Sequence, residues 1–134
     1  MSFKWLLIFV FTVLTGCGEQ PTAGLPVFPP GITSELGPVN QQTIDKLAGD
    51  FYDMQDCHNI FLGAFEELQI ELVDGLFDCP GAILGKCSAF FQPPNRMKLG
   101  FLGEAKEEYF HYLVFLRDGD PDPRHSDARY LACK

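Results

Sequence analysis

The chain has 134 residues, with 18 acidic against 10 basic side chains and a formal charge of −8. A surface this acidic offers nucleic acid no electrostatic footprint and is repelled by anionic lipid headgroups. The length suits one domain and a tail.

The first informative segment is apolar. Lys4 precedes the run WLLIFVFTVL at residues 5–14, followed by Thr15-Gly16-Cys17. The run falls short of the roughly 20 residues that span a bilayer core, and has the length of a signal-peptide h-region. The ending Leu14-Thr15-Gly16-Cys17 resembles the lipobox of bacterial lipoproteins. The resemblance covers residues 1–17 only. It implies a diacylglyceryl group on the Cys17 thiol, cleavage just before it, and a lipid-bearing first residue of the mature chain. Gly18, where Asp commonly retains such proteins in the inner membrane, implies an outer-membrane destination in a cell that has one. The plainer alternative is an ordinary secretory signal with Cys17 incidental to it. Loss of residues 1–16 leaves 118 of the 134 residues and removes only Lys4 among the charges, so the expected mature balance is −9. The lipid, not a basic patch, is then what holds the protein at the membrane.

Residues 17–40 read as the lipidated cysteine and a tether. Pro21, Pro26, Pro29, Pro30 and Pro38 alternate with glycines, and proline removes the backbone donor and restricts the residue before it. A flexible coil of this length spans roughly 25 Å. The alternative is a docked segment, with Leu25, Val27 and Phe28 in a groove of the domain or of a partner.

The globular part is expected over 41–134. Ile44, Leu47, Phe51, Met54, His58, Phe61, Phe65, Leu68 and Leu72 follow steps of three and four, the spacing of one helical stripe. Asn40 or Thr43 can cap its start. Gly63 marks a bend or a break into two helices, since glycine inside a helix costs about 1 kcal/mol relative to alanine. His58 reads as a partly buried core residue. The acidic residues off the stripe form a solvated face, which a basic partner can also use.

After residue 74 the pattern is less regular. Asp74-Gly75 and Asp78-Cys79-Pro80-Gly81 are turn signals, and residues 97–102 suit a short strand. Residues 109–116 (YFHYLVFL) are apolar on all sides. The preceding EAKEE and the following Gly119 favour a helix with a glycine C-cap; the aromatic and β-branched content favours a buried strand pairing with 128–133. The fold class expected is α+β, a long amphipathic helix packed on a small antiparallel sheet, with an all-α arrangement as the alternative. Beyond Cys17, four cysteines remain, and an even number in an exported domain predicts two disulfides with three possible pairings. Cys79–Cys87 as a local loop and Cys57–Cys133 as a long staple are preferred. Cysteine-bound metal is disfavoured, because there is no C-x-x-C pair.

For chemistry, Asp118, Asp120 and Asp122 alternate as ligands do at the start of a calcium loop. Pro123 stands where the turn glycine belongs and Arg129 where the bidentate glutamate belongs, with Asp127 as a substitute ligand. Calcium is the one cofactor this pattern suggests. Nucleophile-elbow, zincin, phosphate-loop and dinucleotide motifs are missing from the sequence. Glu66-Glu67 and Glu107-Glu108 are adjacent pairs that diverge on a helix. A hairpin over 109–133 would bring His111 and His125 together. The expectation is a non-catalytic, membrane-anchored envelope lipoprotein presenting a small acidic, disulfide-braced domain to a protein partner of basic chemistry. The alternatives are a small-ligand or calcium-binding lipoprotein and, last, an enzyme with an unfamiliar site.

Overall fold

A computed structural model describes residues 31–81, 85–130 and 132–133. The signal segment, Cys17, the first part of the tether, and Leu25, Val27 and Phe28 lie outside the described residues.

The described residues open with a strand, β1 (Gly31–Ser34), inside the segment read as tether. Helix α1 (Gln41–His58) follows. The Asn40 side chain caps it by accepting from the Thr43 N–H at 2.8 Å, which satisfies one of the donors a helix start leaves open. Asn59 ends it. Its backbone is left-handed (φ 52°), a conformation asparagine tolerates at helix C-termini, and the Ile60 N–H bonds back to the Gln55 carbonyl at 3.1 Å. The Gln55 amide then donates to the Leu62 carbonyl at 3.0 Å, which pins the departing chain.

The helix expected to run on through residue 72 therefore stops fourteen positions early, and it stops at Asn59 rather than Gly63. The apolar positions beyond it serve other elements. Phe61 is exposed, Phe65 is buried from a 3-10 turn (Phe65–Glu67), and Leu72 belongs to strand β2 (Gln69–Leu72). In β2 the side chains alternate. Ile70 and Leu72 are buried while Gln69 is exposed and Glu71 half-buried, the period of a strand with one face covered.

Strands β3 (Phe77–Asp78) and β4 (Lys86–Cys87) form a small antiparallel hairpin. Strands β5 (Ala89–Gln92) and β6 (Arg96–Leu99) and helix α2 (Ala105–Asp118) complete the order. Of the strand read over 97–102, residues 97–99 are strand, whereas Gly100 and Phe101 are bends and Leu102 opens a 3-10 turn.

The expected small antiparallel sheet is corrected to a mixed, mostly parallel one. Its order is β1-β2-β6-β5, with β1, β2 and β6 parallel and only β5 antiparallel. Parallel neighbours need long crossovers, and α1 supplies the one between β1 and β2. One face of the sheet carries Ile32, Ile70, Met97 and Phe91 in one row and Leu72, Leu99 and Ala89 in the next. These rows join Leu47, Phe51 and Met54 of α1 and Tyr109, Phe110, Tyr112 and Leu113 of α2 in a single core. The other face is mixed, carrying Thr33, Glu71, Lys98 and Phe90 in one row. There Lys98 lies 3.2 Å from Glu71 on the neighbouring strand and over the Phe77 ring.

Residues 109–116 are helical, with Gly119 as the left-handed C-cap. Residues 128–130 form turns, so the strand pairing considered for 128–133 does not occur among the described residues. The structure joins Cys57 to Cys133 (Cα–Cα 6.2 Å) and Cys79 to Cys87 (5.1 Å). Among the described residues, no helix is long and apolar enough to cross a membrane.

Candidate functional site

Helix α2 runs into a loop, residues 119–127, that folds back along it. Asp122 organises this loop. One carboxylate oxygen accepts from the Ser126 N–H (2.9 Å) and hydroxyl (2.5 Å), the other from the Asp127 N–H (2.8 Å). The Ser126 hydroxyl, foremost, holds the Asp122 carboxyl below its ordinary value, with burial opposing. Asp120 accepts from the Asp122 N–H, an Asx turn. Asp118 pairs with Arg117. Asp127 accepts from the Arg129 backbone and guanidinium, and lies 3.4 Å from Arg117. The arginine and backbone contacts from Arg129 hold the Asp127 carboxyl far below the usual range. Each of the four aspartates read as calcium ligands is thus engaged by donors of its own chain. Among the described residues they are not gathered as a ligand set.

The loop delivers a different residue. His125, itself left-handed at φ 53°, donates its backbone N–H to the Asp122 carbonyl at 3.0 Å. Its ring lies flat on Tyr130, with centroids 3.9 Å apart and planes within 9°. Its Nε2 stands 3.1 Å from Nε2 of His111 and 3.5 Å from Oε1 of Glu107. Glu107 and His111 are four residues apart on α2 and so share one helix face. The Tyr130 hydroxyl donates to Glu107 Oε1. The Nδ1 of His111 lies 2.6 Å from the Pro121 carbonyl. A carbonyl only accepts, so Nδ1 carries the hydrogen and Nε2 presents a lone pair when the ring is neutral. Burial, the largest influence, pushes the His111 imidazole below its ordinary value; the Pro121 carbonyl opposes this and His125 adds to it. Among the described residues, Glu107, His111 and His125 are the one group of three such side chains whose ligand atoms converge, all within 4.8 Å.

Glu107, His111 and His125 line a cavity of about 380 Å³ between α2, β5 and the loop, together with Phe90, Phe91 and Pro93. That volume and mixture suit a small-molecule site, apolar walls with a few convergent polar groups. A second crevice, about 210 Å³, opens at the carboxyl ends of β1, β2 and β6 beside the start of α1.

Sequence reasoning brought His111 and His125 together by a strand hairpin; a helix and a folded loop do so instead. It missed Glu107 as a partner of His111. The signal was present in the four-residue spacing, hidden by attention to the adjacent Glu107-Glu108 pair. His125 had no local signal, because its placement depends on the turn at Asp122 and on stacking against Tyr130. Comparison with protein-family models, curated proteins and solved structures gives no match.

Proposed function

We propose that this chain is an exported lipoprotein, anchored in the cell envelope by a lipid on Cys17, whose domain binds a small ligand in the cavity between α2, β5 and the 119–127 loop. The observation that carries this reading is the cavity itself, of about 380 Å³, lined by three converging polar side chains and by Phe90, Phe91 and Pro93. The ligand has an apolar body for the Phe90–Phe91 wall and one polar end for the Glu107–His111–His125 side. The anchor rests on the apolar run and the Leu-Thr-Gly-Cys ending. Binding rather than turnover fits a chain without a recognised catalytic motif.

The test is a titration of isotope-labelled protein with hexanoate and benzoate, followed by backbone and imidazole resonances. Shifts concentrated at Phe90, Phe91, His111 and His125, and lost in Phe90→Arg, support the reading. Shifts at none of these residues reject it.

A second reading, presentation to a basic protein partner, is favoured by Leu36 and Phe101. Both are at least half exposed; Leu36 lines the crevice at the strand ends, and Phe101 stands between Gly100 and Leu102, which line it too. Crosslinks formed through that crevice rather than the cavity would favour it.

A further inference from the structure

The two imidazoles and the carboxylate on the cavity wall have the composition and spacing of a metal site. Metal–ligand bonds of about 2.0–2.1 Å at tetrahedral angles place neighbouring donors about 3.3 Å apart. Here the two Nε2 atoms are 3.1 Å apart, and His125 Nε2 is 3.5 Å from Glu107 Oε1. Without an ion, the two nitrogens meet through a single shared proton. With one, both lone pairs turn on it.

We propose that Glu107, His111 and His125 bind one divalent transition-metal ion, zinc or a neighbouring first-row ion, and that its remaining coordination position takes the polar end of the cavity's ligand. The second half rests on the small-ligand reading above; the first does not.

Three further features belong to a metal site. The supporting contacts of metal-bound histidine are present: the Nδ1–H of His111 is held by the Pro121 carbonyl at 2.6 Å, which fixes the tautomer and aims Nε2 outward. Glu107 is held by the Tyr130 hydroxyl, and the His125 ring is held flat against Tyr130. The donor set is also selective. Two imidazoles with one carboxylate suit zinc, iron, cobalt, nickel or copper, whereas calcium and magnesium take oxygen. Finally, the protein supplies three ligands and no more from this group, and all three line the cavity. A three-ligand set facing a cavity leaves a position for an exogenous group, as closed four-ligand sites do not. A divalent ion with one carboxylate carries net positive charge, so the polar end it selects is anionic.

The experiment uses full-length protein in detergent, stripped of metal by a chelator and titrated with zinc chloride in a calorimeter. One equivalent should bind. Cobalt chloride should give the intense visible absorption of a tetrahedral ion. His125→Ala, at a half-exposed loop position, should keep the wild-type melting temperature in chelator and lose about 100-fold or more in zinc affinity. Tyr130→Phe should lose about 10-fold, the scale of supporting contacts. His111→Ala repeats the test from the helix side, and Asp118→Asn should change nothing. No uptake by the wild type overturns the site. Equal uptake by wild type, His125→Ala and His111→Ala means an adventitious ion only and also overturns it. Hexanoate and benzoate should then bind zinc-loaded protein at least about 10-fold more tightly than stripped protein. Equal binding to both forms overturns the coordinated ligand while leaving the cavity reading intact. Zinc uptake with no carboxylate binding to either form rejects the cavity reading and leaves the metal site standing.

Discussion

The two helices solve different problems. Helix α1 buries one stripe, Leu47, Phe51, Met54 and His58, and turns Asp45, Asp53 and Asp56 to solvent. Helix α2 is buried almost all round over 108–114, because the sheet and α1 cover one side and the 119–133 segment covers another. A helix with one covered face can leave its polar groups in water. A helix covered on two faces must find partners for every polar group it carries, and α2 carries Glu108 and His111 inside its apolar run. The candidate site is where that requirement meets the covering loop. The two buried histidines show the contrast directly. His111 has both ring nitrogens engaged, whereas Nε2 of His58 has no hydrogen-bond partner among the described residues.

The strongest way to break the comparison is to attack what both helices share. Phe51 is fully buried and meets Phe65, Tyr109 and Tyr112 at ring distances of 5.4–6.2 Å. Phe51→Ala should cost about 3–5 kcal/mol by lost burial and a residual cavity, read as a fall in denaturation midpoint. Removing the cover of α2 alone is the next test. The Cys57–Cys133 bridge joins positions 76 apart and ties the end of α1 to the segment bearing Tyr130. In the chain-entropy model such a loop contributes about 4.5 kcal/mol, against about 2.5 kcal/mol for the short Cys79–Cys87 loop. A Cys57→Ser, Cys133→Ser double variant should therefore lose more stability than Cys79→Ser, Cys87→Ser. Equal losses would mean that the longer loop gains nothing from its length, against the chain-entropy account.

A finer cut separates the loop from the cover. Asp122→Ala removes the acceptor for the Ser126 and Asp127 N–H groups, at about 1–3 kcal/mol for donors left without partners. Because the loop is peripheral, the loss should be local. Amide exchange at residues 125–127 should quicken, while amides of α1 and β2 keep their wild-type protection. Uniform quickening would show that the loop and core unfold as one unit.

The same contrast explains what was legible in the sequence. The first five stripe positions, Ile44 to His58, were readable in α1, since burial on one face writes a simple period. The stripe's extension past His58 was not, because Phe65, Leu68 and Leu72 continue the three-four spacing while belonging to a turn and a strand. Four residues alternating Gln-Ile-Glu-Leu carry too little pattern to compete with nine at helical spacing. The apolar run of α2 has no period at all, so the same covering that buries it also erased its signature. Strand direction was invisible for a related reason. Parallel pairing depends on where the crossover returns the chain, a property of α1's packing and of no residue in β2 or β6. At the site, Glu107 and His111 were within reach of a spacing argument. His125 was not, being placed by the backbone carbonyl of Asp122 and by stacking on Tyr130.

The smallest expected effect is the pH dependence of the unpartnered histidine. Burial, foremost, and then Arg129 and Arg117 push the His58 imidazole below its ordinary value of 6.5, with Asp127 opposing. The unfolded chain therefore takes up a proton that the folded chain resists. The stability His58 contributes as a neutral ring is complete above 6.5 and is lost as pH falls from there toward its folded-state value. His111, shifted the same way, adds to the slope in the same window. The Asp127 carboxyl, held low, adds its loss only further into acid, below its ordinary 3.8. His58→Leu in chelator should thus flatten the fall in stability just below pH 6.5 by at most about 1.4 kcal/mol per pH unit. The acid limb near pH 3 should be unchanged. An undiminished slope in His58→Leu would assign the whole window to His111, and would mean that the orphaned nitrogen at the end of α1 is solvated in solution.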